Sequence, residues 1–124
     1  MTRSYAFTHI VFASSSGGTQ AGLMLGKEVF KQNYQVVGIN IDKDETAEHA
    51  FLQQVLALAN RTARRLKLNH ELTESDLILK NHYVGAGYGV IGELEKEAII
   101  LTAQTEGILL DLVYTGRAWE DLLI

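Results

Sequence analysis

The chain has 124 residues, a net charge of −4 and a pI of about 5.5. A chain of this length forms one domain that buries roughly two-thirds of its unfolded surface, and its thinly spread basic residues exclude a nucleic-acid-binding face. The absence of cysteine excludes a disulfide framework, a thiolate metal site and a cysteine nucleophile.

The amino end, Met1-Thr2-Arg3-Ser4-Tyr5, lacks the apolar core of a signal peptide, and no apolar stretch approaches the roughly eighteen residues of a membrane span. The sequence therefore predicts a soluble, cytoplasmic chain, a single domain over 1–124, with no nucleic-acid or membrane partner. Residues 7–13 are rich in β-formers and read as a strand buried on both faces. They empty into the turn Ser14-Ser15-Ser16-Gly17-Gly18-Thr19. Such a turn, set between a strand and a helix, aims free backbone N–H groups at one point and favours an anion there, most often a phosphate.

Residues 20–31 are predicted helical, and Gly22 and Gly26, four apart on one face, would let that helix approach a sheet closely. Residues 35–42 form the next strand, which completes a βαβ unit. The acidic run Asp42-Lys43-Asp44-Glu45 opens a long helix over 46–66, whose apolar stripe is Leu52, Val55, Leu56, Ala59, Ala63 and Leu66. Arg61, Arg64 and Arg65 fall mostly off the stripe and read as a solvated flank. Residues 68–81 give weaker signals: Thr73 to Asp76 could cap one helical turn, and Leu77-Ile78-Leu79 could be a short extended piece.

Residues 83–89 carry glycines at alternate positions with two tyrosines, which makes a loop with conformational demands. Residues 92–106 follow as a helix with Leu94, Ala98, Leu101 and Thr105 inward, ended by Gly107 in the left-handed conformation. Glu93, Glu95 and Glu97 then lie on its exposed side or first turn. Residues 108–113 read as a third buried strand leading to Tyr114-Thr115-Gly116, and a last helix begins at Arg117 with Trp119 as a packing anchor. His9, His49, His70 and His82 lack metal-ligand spacing, so no metal site is expected.

The fold class is α/β: an open, Rossmann-like three-layer sandwich whose short, mainly parallel sheet of three or four strands is flanked by helices. In such a sheet ligands sit beyond the carboxyl ends of the strands. The turn at 14–19, the loop at 114–116 and the helix start near 90–93 should therefore converge on one rim.

Three stretches, Ser16-Gly17-Gly18-Thr19-Gln20-Ala21-Gly22, the Gly87-Tyr88-Gly89 loop followed by Gly92-Glu93, and the run from Glu106-Gly107-Ile108 to Thr115-Gly116-Arg117-Ala118, together resemble the D-cysteine desulfhydrase and 1-aminocyclopropane-1-carboxylate deaminase family. These are pyridoxal-phosphate enzymes of the tryptophan-synthase β-like fold. The resemblance implies that the chain matches part of their large cofactor-binding domain. It implies that Ser16, Gly17, Gly18 and Thr19 wrap the cofactor phosphate, that Tyr88 and Tyr114 are active-site tyrosines, and that Thr115 faces the pyridine nitrogen. Threonine at that position favours the desulfhydrase side, since the deaminases carry glutamate.

Departures from the family pattern are equally specific. Full members are more than twice as long, and their Schiff-base lysine lies in an amino-terminal region with no counterpart here. Lys27, Lys31, Lys43, Lys67, Lys80 and Lys96 are expected on helices or solvated connections away from the rim, and Leu112 replaces a family proline. The expectation is a truncated relative or fragment of a desulfhydrase-like lyase that keeps the phosphate loop and is not catalytic alone. The alternative is a stand-alone phosphate- or nucleotide-binding module. Either could self-associate into a homo-oligomer to cover exposed apolar edges.

Overall fold

The computed structural model describes residues 6–44, 46–82, 86 and 89–123. Strand β1 (His9–Ser14) leads into helix α1 (Gly18–Val29), then β2 (Gln35–Asn40), α2 (Glu48–Arg65), a single 3-10 turn (Glu74–Asp76), β3 (Ile78–Lys80), α3 (Glu93–Glu106) and α4 (Thr115–Leu123). The three strands form one parallel sheet in the order β1-β2-β3, with Ser14 opposite Asn40 and Ile39 opposite Lys80. No described helix is long and apolar enough to cross a membrane.

Strand periodicity divides the core into two layers. Side chains alternate across the sheet, so Phe12, Val36 and Leu79 join the cluster built by Ala21, Met24 and Leu25 of α1 and Phe51, Val55, Leu56, Ala59 and Ala63 of α2. Val11, Ala13, Val37, Ile39 and Ile78 point the other way, against Ala118 of α4. The result is a three-layer α/β arrangement. The α2 stripe runs as its sequence spacing requires, with Phe51 added at the amino end and Leu66 exposed just past the carboxyl end.

The close approach of α1 to the sheet comes from a glycine in the strand. A side chain at Gly22 or Gly26 would meet nothing within 4 Å, which corrects the reading of that pair. At Gly38 in β2, a Cβ would collide with Gln20 Oε1. Gln20 is fully buried; its amide donates to the Ile78 carbonyl (3.0 Å) and its carbonyl accepts the Ser14 hydroxyl (2.9 Å). One side chain from α1 therefore satisfies polar groups of β1 and β3 across the bare backbone of β2.

Two further expectations are corrected. The third strand is Ile78–Lys80, overlapping the short extended piece the sequence suggested at 77–79, while residues 108–113 form no strand and Leu109 is 86% exposed. The reason is local: the Asp111 carboxylate takes the N–H groups of Val113, Tyr114 and Thr115, drawing that backbone into a turn instead of a ladder. In α3 the buried positions are Glu95, Ala98 and Thr102, while Leu94 and Leu101 face outward. Gly107 closes α3 at φ 67°, as the sequence required.

Replacing Gly38 by alanine is expected to destabilise the fold by about 2 kcal/mol, because Gln20 must abandon two buried bonds to make room. Adding Gln20→Ala to that variant should cost less than the sum of the two single changes, as contacting sites couple. Urea unfolding of the four proteins measures both effects.

Candidate functional site

The turn between β1 and α1 is built by conformational necessity. Gly17 sits at φ 80°, where a side chain is disfavoured, and a Cβ there would lie 2.6 Å from Val55 Cγ2. This glycine swings the chain directly into α1. No side chain caps the helix; the Gly18 N–H has only Ser16 Oγ, at 3.5 Å. The first-turn amides and the positive end of the helix dipole are thus left for an external acceptor.

Ser14 to Gly17, with Ala13 and Thr19, line a cleft of about 230 Å³, and the remaining wall is Tyr114. The structure therefore joins Ser16, Gly17, Thr19 and Tyr114 from opposite ends of the chain. Gly18 lies within the same turn. Tyr88 and Gly87 lie outside the described residues. Thr115 opens α4, but its hydroxyl is held by Asp111: it donates to Asp111 Oδ2 (2.6 Å) and accepts the Asp111 N–H (2.8 Å).

Both walls of the cleft lean on the exit of β2. Fully buried Asn40 turns the chain there, its Oδ1 accepting the N–H groups of Asp42 and Lys43 and its Nδ2 donating to the Lys43 carbonyl and to Asn81. Ser15 then donates its hydroxyl to Asp42 Oδ2 at 2.7 Å. Lys43 pairs with the same oxygen (2.5 Å) and lies 5.3 Å from the centre of the Phe51 ring. This corrects the expected position of Lys43: it stands on the rim, one residue removed from the turn through Asp42, with its ammonium group committed to that carboxylate.

The remaining residues missed by sequence reasoning are polar groups in apolar surroundings. Arg117 is 2% exposed and forms an ion pair with Glu95 (2.9 Å). Glu95 was expected to be solvated; its second oxygen accepts the Gly92 N–H at 2.9 Å, capping α3. The spacing of Glu95 three residues after Gly92 was the available signal. For Asp111 the signal was a carboxylate followed by a threonine four residues on. Partial burial opposes ionisation of Asp111, but bonds from the Thr115 hydroxyl and the Tyr114, Thr115 and Val113 amides outweigh it and hold its carboxyl well below the usual range.

Two other depressions have different chemistry. One, of about 340 Å³, is lined by His82, Val90, Gly92, Glu93, Glu95 and Glu120 among others. Burial and then the Glu95 carboxylate push the Glu120 acid up, against the pull of Arg117. The other, about 240 Å³, lies among Asn60, Arg64, Asn69, His70 and Glu71 at the end of α2. No group of His, Asp and Glu among the described residues could hold a metal ion.

Fold and cleft together define a class: a parallel α/β chain with an uncapped helix start lining a cleft at the carboxyl end of its first strand. No family model matches the chain. Curated relatives do: it is 34% identical to the 1-aminocyclopropane-1-carboxylate deaminases of Mesorhizobium japonicum and Variovorax paradoxus over 119 residues, covering 96% of this chain and 34% of each relative. It is 35% identical to that of Ralstonia nicotianae over 121 residues, again 34% of the relative. A crystal structure of an ACC deaminase homologue superposes on 98% of this chain and 35% of its own, with a TM-score of 0.84 at 30% identity. Nearly the whole chain is thus similar to one segment of 1-aminocyclopropane-1-carboxylate deaminases, and it spans about a third of the length of the curated relatives it matches.

Replacing Asp111 by alanine should loosen the turn bearing Tyr114 and cost about 1 kcal/mol at neutral pH, as for loss of a helix cap. The folded-state pKa of Asp111 is depressed, so its contribution is complete above the ordinary aspartate value of 3.8 and is lost as pH falls through the folded value. The stability gap between wild type and Asp111→Ala should thus be constant from neutral pH to about pH 5 and close at lower pH, as read by urea unfolding across that range.

Proposed function

We propose that the chain is the phosphate-holding part of a pyridoxal-phosphate enzyme fold, with Ser16, Gly17, Gly18 and Thr19 receiving the cofactor phosphate and Tyr114 standing against it. The observation that carries this reading is the cleft itself, lined by the uncapped start of α1 with Ser16 and Thr19 and, from the other end of the chain, by Tyr114.

The residues present fit a phosphate. Gly17 bends the backbone toward the ligand, and the Gly18 position is open, with only Ser16 Oγ within 4 Å of a Cβ placed there. Amides and hydroxyls surround an anion without confining it to one charge state. The carboxylate behind Ser15 is balanced by Lys43. Bound in this cradle, pyridoxal phosphate would supply an electron sink for carbanion chemistry on an amino-acid substrate. The chain's own contribution is to bind the phosphate and to orient the ring against Tyr114. Thr115 offers a hydroxyl where the cyclopropane deaminases carry glutamate, which favours a desulfhydrase-type substrate such as D-cysteine. Facing the pyridine nitrogen would require that hydroxyl to leave Asp111. Catalysis is not assigned to this third of the fold alone.

Equilibrium dialysis with pyridoxal phosphate and with pyridoxal, which lacks the phosphate, tests the reading. The phosphate form should bind at least about tenfold more tightly, a difference of about 1.4 kcal/mol. Gly18→Asp should keep the fold, because a carboxylate at a helix start is favourable, yet it should remove that preference by occupying the cradle with its own charge. Equal affinities for the two compounds, unchanged in Gly18→Asp, would overturn the proposal.

A further inference from the structure

The arginine in the first turn of α4 is the largest fully buried side chain described, and burial of a guanidinium needs a reason. Toward the described residues its bonds run in three directions. Nη1 donates to the Ile41 carbonyl at 2.9 Å, at the exit of β2. Nε and Nη2 both meet Glu95 Oε1, at 3.0 and 2.9 Å, in the first turn of α3. Nη2 also donates to the Val90 carbonyl, in the segment that enters α3. A planar guanidinium serves all three at once, which a single ammonium nitrogen at the same place cannot do.

The position of this hub matters because of what lies three residues before it. Tyr114 forms one wall of the cleft, and its carbonyl accepts the Ala118 N–H at 3.0 Å, so the tyrosine is joined to the helix that carries Arg117. The opposite wall, the Ser14 to Thr19 turn, is tied by Ser15 to Asp42 at 2.7 Å. Ile41 and Asp42 are adjacent. Two neighbouring residues at the exit of β2 therefore carry both walls, one through a serine and the other through the arginine.

We propose that Arg117, clamped by Glu95 and the Ile41 carbonyl, is a positioning residue that sets the separation between Tyr114 and the Ser16 to Thr19 turn, and through it the fit of a phosphate-bearing ring between them. The ligand part of this inference rests on the cradle reading above; the placement of Tyr114 does not. Arg117 does not line the cleft, and its proposed action runs through α4. The plainer reading, that the ion pair merely holds the helix in place, makes a different forecast. In that case any substitution that preserves the fold would preserve the cleft.

The pair can be removed without leaving either of its members as a lone buried charge, although buried Glu120 loses the pull of Arg117 along with the repulsion of Glu95. Arg117→Met with Glu95→Gln eliminates both charges, and glutamine still offers an acceptor to the Gly92 N–H. With fluorotyrosine incorporated throughout and the Tyr114 resonance assigned by its loss in Tyr114→Phe, fluorine NMR reads the position of Tyr114 without any ligand. The double variant should unfold cooperatively, as wild type does, while its Tyr114 resonance moves toward that of an unfolded tyrosine. Its affinity for pyridoxal phosphate should fall about tenfold and that for pyridoxal should change little. Arg117→Lys, which keeps the charge but loses the fork, should move both quantities in the same direction by less.

An unmoved Tyr114 resonance in a folded double variant, with unchanged affinity, would overturn the proposal. If the double variant does not fold, Arg117→Lys decides: wild-type resonance and affinity there would overturn the proposal equally. If the resonance moves but wild type has no preference for pyridoxal phosphate over pyridoxal, the positioning role stands and the cradle reading falls.

Discussion

A carboxamide lying on a bare strand sets the depth at which α1 packs on the sheet. Gln20 can sit over Gly38 only because β2 has no side chain there, and it then bonds the Ser14 hydroxyl and the Ile78 carbonyl on either side. That contact fixes the first turn of α1 relative to all three strands. It thereby fixes where the free amides of the Gly17 to Thr19 turn point. A buried glutamine makes sense at this place because each of its polar atoms is satisfied and the groups it bonds are drawn from strands that would otherwise meet only apolar helix.

From there the chain of dependence runs through the exit of β2. Asn40 closes that exit, Asp42 holds the β1–α1 turn through Ser15, and Ile41 receives the arginine of α4. The buried Arg117–Glu95 pair is weak evidence for stability, since desolvation offsets much of the Coulomb attraction. Its better account is geometric: it specifies one arrangement of α3, α4 and β2 where apolar contacts alone would permit sliding. The small second core of Val37, Ile39 and Ala118 supplies little such direction. Function follows from this arrangement because the cleft has no single-element origin. Its walls come from the two ends of the chain and coincide only if these polar ties hold.

The sheet and the helices over it were legible in the sequence because their pattern is apolar and periodic. Residues 35–40 lie inside the strand expected from β-formers, β1 overlaps its expected range except that Ser14 of the expected turn ends it, and α2 follows its stripe from Val55 to Ala63. The Ser/Gly/Thr turn was legible because glycine and hydroxyls are the residues such a turn requires. What escaped was governed by polar groups acting against the pattern. Asp111 diverted an apolar run from strand to turn, and Glu95 turned α3 so that its leucines at 94 and 101 face outward. Gly22 and Gly26 misled because spacing alone does not say which partner is close; Gly38 carried that role with no periodic signature. Arg117 gave no warning, since nothing in an isolated arginine announces a buried partner 22 positions away.

The similarity to 1-aminocyclopropane-1-carboxylate deaminases covers nearly all of this chain and about a third of each relative. The proposal for this third alone is that the turn at the start of α1 holds the phosphate of pyridoxal phosphate with Tyr114 beside it. Backbone amide NMR of the labelled chain during titration with pyridoxal phosphate tests it most directly. The account predicts that the largest shifts fall on the amides of Ser16 to Gln20 and of Tyr114. Shifts centred instead on Asn69 to Glu71, or none at saturating cofactor, would contradict it.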